Sequence, residues 1–362
     1  MNWYMKKIMF LSVYIITGYA HAQNDSLNQK LQLSGYLDVY YAYDFANPPN
    51  HNRPAFLYSY NQHNEVNLNL GFLKAAITEN KVRANLAFAT GTYMNANLST
   101  ENGVFKNIFE ANIGIKLSRK KDIWADAGIF ASHIGFESAI GKDCWTLSRS
   151  ILAENTPYYE SGVRVAYTTP NQKWYMALLL LNGWQNISRI NGNNTPAFGH
   201  QITFKPTSNI TLNSSSFIGN ILPDSIRAMR YFHNLYGIFQ LTQQWGITAG
   251  FDIGFQQKST GSHSFNHWYS YVCIAQWKPS PKNVWAARIE YYADPDNVII
   301  PANFQNGFKT FGYSINYDRA ISSKLLWRIE ARDFYAAETY FENNNIPVHN
   351  NFAMTTSISI VL

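Results

Sequence analysis

Charge is the first thing in short supply. Only 14% of the 362 residues are Asp, Glu, Lys or Arg, against about a quarter in an ordinary soluble domain. Cysteine is scarce as well. Cys144 and Cys273 are the two present; a single bridge between them stays open, but two isolated thiols make no disulfide framework and no metal motif. No long basic run occurs, and the formal net charge of +6 includes Lys6 and Lys7 near the start, so nucleic acid is not an implied partner. Long apolar runs are missing too. Past the N-terminus the greasiest segment is WYMALLLLNGW (174–184), strand length and short of the ~18–20 residues a membrane helix needs. What is abundant is aromatic: 16% Phe, Trp and Tyr, in a chain whose mean hydropathy is −0.25. An aromatic, charge-poor chain without a membrane helix fits a transmembrane β-barrel, where the lipid-facing signal is spread over alternate residues.

The opening MNWYMKKIMFLSVYIITGYAHAQ has a positive start, a short apolar stretch and the small-x-small Ala20-His21-Ala22 before Gln23. That is a secretory signal peptide pattern over residues 1–22. No cysteine follows the cut, which speaks against a lipid anchor. Residues 23–30 read as a short periplasmic segment and 31–362 as the barrel, with no room for a plug domain before the first strand. Without the leader lysines the mature charge is near +4.

Period two runs through the rest. In LQLSGYLDVYYAYDF, Leu31, Leu33, Leu37, Val39, Tyr41, Tyr43 and Phe45 take one face; Gln32, Ser34, Asp38 and Asp44 take the other. FEANIGIKLS and GITAGFDIGFQ repeat it, and FAMTTSISIVL carries it to Leu362. Scanning in this way predicts an all-β chain: an antiparallel up-and-down transmembrane barrel of sixteen strands, with fourteen and eighteen left open. EVNLNLGFLKAAIT changes face near Phe72-Leu73, the mark of a bulge. Connections alternate short and long, as a periplasmic and an outer end require. Trp124, Trp174, Trp245, Trp277, Trp285 and Trp327 fall at strand ends beside short turns, with Trp184 and Trp268 at the opposite ends. An indole suits the headgroup level, although in this register some of these rings point inward.

Sixteen strands enclose a lumen wide enough for water. Its predicted lining carries both signs: Arg83, Glu110, Asp126, Glu160, Arg164, Asp252, Arg288, Glu290, Arg328, Glu330 and Arg332. Pairs two apart on a strand share a face, so they either tune a charged pore wall or neutralise one another. The longest loop, about 131–157, is able to fold inward. Within it Glu137, Asp143, Arg149 and Glu154 are the candidate constriction residues, the acids facing wall arginines such as Arg164 and Arg288. Tyr158 and Tyr159 then sit near the outer rim. Enzymatic readings are weaker. His133 and Glu137 are four apart, but a lone His/Glu pair in a loop is usually just polar surface, and no cofactor is implied. His200, Ser214, Ser216 and His233 share the outer face of successive strands, an arrangement a lipid-acting enzyme would use; no third group is evident.

One segment carries a family resemblance. Ile134-Gly135 with Glu137, Ser148-Arg149-Ser150, Asn155-Thr156-Pro157-Tyr158-Tyr159-Glu160, Gly162 and Arg164 resemble the OmpL-like β-barrel porin family of Gram-negative outer membranes. LQLSGYLDVYYAYDF and the leader look similar as well. The resemblance implies a barrel in a Gram-negative outer membrane, surrounded by lipid and lipopolysaccharide, passing small hydrophilic solutes, and a homotrimer by analogy. It brings no catalytic residues. The expected function is passive diffusion through a lumen narrowed by the 131–157 loop. The alternatives are an outer-membrane lipid-acting enzyme and a non-conducting structural or adhesive barrel.

Overall fold

The computed structural model describes residues 31–362, apart from 303 and 345. The leader and the periplasmic segment at 23–30 lie outside the described residues. Sixteen strands hydrogen-bond in chain order into one closed antiparallel barrel, with the last pairing the first. They are β1 (Gln32–Asp44), β2 (Val66–Thr78), β3 (Val82–Thr90), β4 (Ile108–Lys116), β5 (Asp122–Ala131), β6 (Tyr159–Thr168), β7 (Trp174–Leu181), β8 (Ala197–Thr207), β9 (Ile210–Asn220), β10 (Met229–Gln240), β11 (Trp245–Gln257), β12 (Phe265–Ser280), β13 (Asn283–Asp294), β14 (Phe308–Ala320), β15 (Leu325–Ala336) and, closing the ring, β18 (Asn350–Val361). The two intervening elements, β16 (Phe341–Asn343) and β17 (Ile346–Val348), form a separate hairpin in the last long loop. Closure leaves no edge, so the backbone polar groups of every strand find partners inside the ring.

Side-chain alternation sets the two faces. On β1, Leu37 and Val39 stand exposed on the outside while Tyr36, Asp38 and Tyr40 are buried within. The expected irregularity in β2 is a bulge at Asn69, where Asp38 faces Leu70 and Val39 faces Leu68. It lies about three residues before the predicted place. The bulge serves a contact: the Asn69 amide accepts from the Tyr60 N–H at 3.0 Å and donates to Asp38 at 3.2 Å.

The tryptophans divide by face. Trp174, Trp245, Trp277 and Trp285 are exposed outward at the short-turn end. Trp174 stacks on Phe204 with centroids 4.1 Å apart, and Trp245 on Trp277 at 5.8 Å. With Tyr317 and Trp327 they make an aromatic girdle on that rim. Trp124 and Trp268 instead point inward and are buried. Cys144 is buried in a loop and Cys273 faces outward; both are free thiols.

Candidate functional site

Strand register places all the predicted lining charges on the inner face, opposite inward neighbours. Their partners fall into groups. Arg83 grips Asp126 in a fork (Nε–Oδ1 2.7 Å, Nη2–Oδ2 2.6 Å), and Arg164 reaches the same carboxylate at 3.2 Å. Glu110 pairs with Lys74. Asp252 accepts from Asn234 at 2.5 Å. On the opposite wall Arg288 contacts Glu330 at 2.9 Å and Glu290 at 3.2 Å, Arg332 contacts Glu290 at 2.6 Å, and Arg328 forks onto Asp318. Most of these pairs cross strands rather than run along one. β14 permits the crossing by offering little bulk between β13 and β15: a Cβ at Gly312 would meet Glu290 Cγ at 2.7 Å.

The third long loop, residues 132–158, folds into the lumen and uses this array as its anchor. Glu330 gives Oε1 to Arg288 and Oε2 to the Ser148 N–H at 2.8 Å. Glu290 gives Oε1 to Arg332 and Oε2 to the Ile151 N–H at 2.6 Å. Arg328 donates to the carbonyls of Gly141 (2.7 Å) and Cys144 (3.0 Å). Asn316 Oδ1 accepts from the Leu147 N–H at 3.0 Å. Toward the other side, Asn234 accepts from the Gly135 N–H at 3.2 Å. The buried His133 has Nδ1 at 2.7 Å from Glu160 and Nε2 at 2.8 Å from the Ser216 carbonyl. Both ring nitrogens face acceptors, the pattern of an imidazolium that donates twice. Burial opposes that charge, but the Glu160 carboxylate and these bonds outweigh it, and the His133 pKa lies above its ordinary value.

Of the candidate constriction residues, Arg149, Glu137 and Glu154 are buried bracing groups and Asp143 is not. Arg149 donates to the carbonyls of Ser138, Ala139 and Leu147 at 2.7 to 2.8 Å, tying the loop to itself. Glu137 accepts from the N–H and hydroxyl of Ser150, and burial raises its pKa. Ser150 in turn caps the helical turn Ile151–Glu154. Glu154 accepts the N–H groups of Tyr58 (3.0 Å) and Ser59 (3.3 Å) from the first long loop. Burial pushes its pKa up to about 7. Arg288 is a charged neighbour of Glu137, but among the described residues no hydrogen bond or ion pair joins these acids to Arg164 or Arg288: Asp126 holds Arg164, while the wall glutamates hold Arg288. Asp143 pairs with Lys142 in a half-exposed position. Tyr158 and Tyr159 are packed at the long-loop end, on Tyr93 and Glu101 respectively.

Apolar contacts complete the seat. Phe56 of the first loop and Ile134 and Ile151 of the third share one buried cluster with wall residues Leu179, Phe217, Phe232 and Trp268. Two inner-face glycines of β11 make room for aromatics of the loop. A Cβ on Gly250 would meet Phe136 at 2.8 Å, and one on Gly246 would meet Trp145 at 2.7 Å. These sockets escaped sequence reasoning, although the inward Gly246, Gly250 and Gly254 of GITAGFDIGFQ were the available signal.

On the outer face, Ser216 Oγ lies 2.6 Å from His200 Nδ1, and Ser214 bridges His200 (3.2 Å) and His233 (3.4 Å). These bonds link the four side chains to one another in a chain. No hydrogen-bonded carboxylate orients either histidine among the described residues.

The sequence matches a family model described as "Putative beta-barrel porin-2, OmpL-like" over residues 30–362. The chain belongs to this family. Curated protein sequences contain no match to it. Among solved structures, the OmpL-like chain is similar to the anion-selective porin from Comamonas acidovorans (7% identity, 92% of this chain and 100% of that one, TM-score 0.60). It is also similar to the outer membrane channel DcaP of Acinetobacter baumannii (11%, 92% and 97%, 0.60). OmpT of Vibrio cholerae in its trimer form is a third (8%, 91% and 99%, 0.57). At such identities these likenesses show the fold, that of outer-membrane porins.

Proposed function

We propose that this OmpL-like barrel is a channel for passive diffusion of small hydrophilic solutes or ions, with the 132–158 loop as its constriction. The observation that carries the reading is how the loop is hung. Wall carboxylates that already hold an arginine present their second oxygen to loop N–H groups, at Ser148 and Ile151. Such an anchorage fixes a loop at one depth in a polar lumen, where inward charges such as Arg83, Asp126 and Arg164 line what remains. The setting is the outer membrane of a Gram-negative cell, reached by signal peptide, with lipid and lipopolysaccharide around the girdle. A homotrimer is proposed on the fold's analogy with the trimeric OmpT form.

One observation favours a second reading, a plugged barrel. The apolar cluster of Phe56, Ile134 and Ile151 meets wall residues from β7, β9, β10 and β12, so it reaches across a large arc of the lumen. Single-channel recording on the purified protein and on a variant lacking 136–152 separates the two. A channel conducts in both forms, and severalfold more in the deletion. A silent full-length protein with a conducting deletion identifies a plug. Silence in both removes the channel reading.

A further inference from the structure

At the short-turn end the lumen opens into a cavity of about 760 Å³ between the β4–β5 and β6–β7 connections and the end of β8. Its charge is nearly all of one sign. Lys116, Arg119, Lys120, Lys121, Lys173 and Lys205 line it against a single carboxylate, Asp122. Asp122 is already engaged, accepting from Trp124 Nε1 at 2.9 Å and lying 3.4 Å from Lys116 Nζ. Lys116 faces the lumen beside Trp124, and one row further in Gly114 stands opposite Asp126. There two guanidiniums, Arg83 and Arg164, share the one Asp126 carboxylate. The positive field therefore continues inward instead of being cancelled.

We infer that this vestibule is a binding site for small free polyanions, molecules carrying several phosphate or carboxylate groups. Concave walls of one charge sign focus the field and raise the local concentration of the opposite ion. The basic groups line one cavity, so they act on a compact ligand together. Most are lysines, point charges on flexible stems without the fixed fork of arginine. Selection is accordingly by charge number and not by shape: a single carboxylate or chloride gains little, an oligophosphate gains much. The binding needs only the folded barrel; its meaning as solute preference rests on the channel reading.

The probe is inorganic tripolyphosphate, titrated calorimetrically into the full-length mature protein in zwitterionic lipid discs. The expected result is saturable binding that weakens more than tenfold between 50 mM and about 300 mM salt, as screening requires. K120Q/K121Q/K173Q weakens it at least tenfold at low salt. K278Q/K282Q/K324Q removes equal charge from elsewhere at the short-turn end and leaves it within twofold. Heat-modifiable migration confirms that each variant is folded. Absent binding, equal binding by the vestibule variant, or equal loss in the control variant overturns the site. Discs of anionic lipid distinguish the ligand source: affinity within threefold supports a free solute, whereas its loss shows that headgroups hold these lysines and overturns the assignment. A silent bilayer recording alongside intact binding would sink the channel reading alone.

Discussion

Arg328→Met tests how the loop is held. Arg328 is buried, forks onto Asp318 at 2.7 Å and 2.9 Å, and spends its other donors on the loop carbonyls of Gly141 and Cys144. Methionine keeps an unbranched chain and removes every donor. The two hydrogen bonds that Arg328 gives the loop carbonyls come from a charged donor and are worth roughly 1.5–3 kcal/mol each. The remaining barrel ladders are untouched, so the loss is expected as local opening of residues 141–150 and not as barrel unfolding. At about 1.4 kcal/mol per tenfold, even 3 kcal/mol raises the open fraction about a hundredfold. Cys144 supplies the readout. It is buried, its thiol bonds to the Ser138 carbonyl, and burial raises its pKa, so it reacts only when the loop opens. With Cys273→Ala removing the outward thiol, maleimide should label Cys144 roughly a hundred times faster in the variant. Labelling within threefold of the parent would refute the anchorage. Adding Asp318→Asn relieves the orphaned carboxylate but restores neither carbonyl bond, so labelling should remain fast. Slow labelling in that double variant would show that the ion pair, not the loop bonds, mattered.

Three further outcomes follow from the same geometry. Both Glu154 and His133 have folded pKa values above their ordinary ones, so their stabilisation is complete below the unfolded values and is lost as pH rises through the folded ones. For Glu154 the interval from 4.5 to about 7 is worth on the order of 3 kcal/mol at most. Hydrogen exchange at the Tyr58 and Ser59 amides, corrected for intrinsic rates, should accelerate from pH 5 to pH 8; Glu154→Gln should flatten that slope, and an unchanged slope would count against it. Gly250→Leu fills the Phe136 socket, an overpacking cost of about 1–3 kcal/mol. It should raise conductance and Cys144 labelling together, and no change in either would dismiss the socket. Ser216→Ala and His200→Ala break the outer-face chain; neither they nor the parent should hydrolyse phospholipid, and activity lost on either substitution would establish the enzyme reading instead.

The faces of the strands were legible because alternation is a local signal. Leu37 and Asp38 declare outside and inside by themselves, and sixteen such segments with alternating connections close in chain order. Partners were not legible for the same reason. Arg328, Glu330 and Arg332 share one strand face, yet Glu330 binds Arg288 and Arg332 binds Glu290, contacts 42 positions apart that depend on the small residues of β14 between them. The loop acids were assigned to wall arginines by charge alone. Their actual partners are backbone N–H groups and a hydroxyl: Ser150 for Glu137, and Tyr58 and Ser59 for Glu154. Such donors are present at almost every residue and leave no mark in a sequence. A carboxylate has two oxygens, and counting charges uses up only one. In this lumen the first oxygen settles the charge with an arginine, and the second decides where the loop rests. That is why a wall of balanced pairs, which looks neutral and inert on composition, can still position the 132–158 loop.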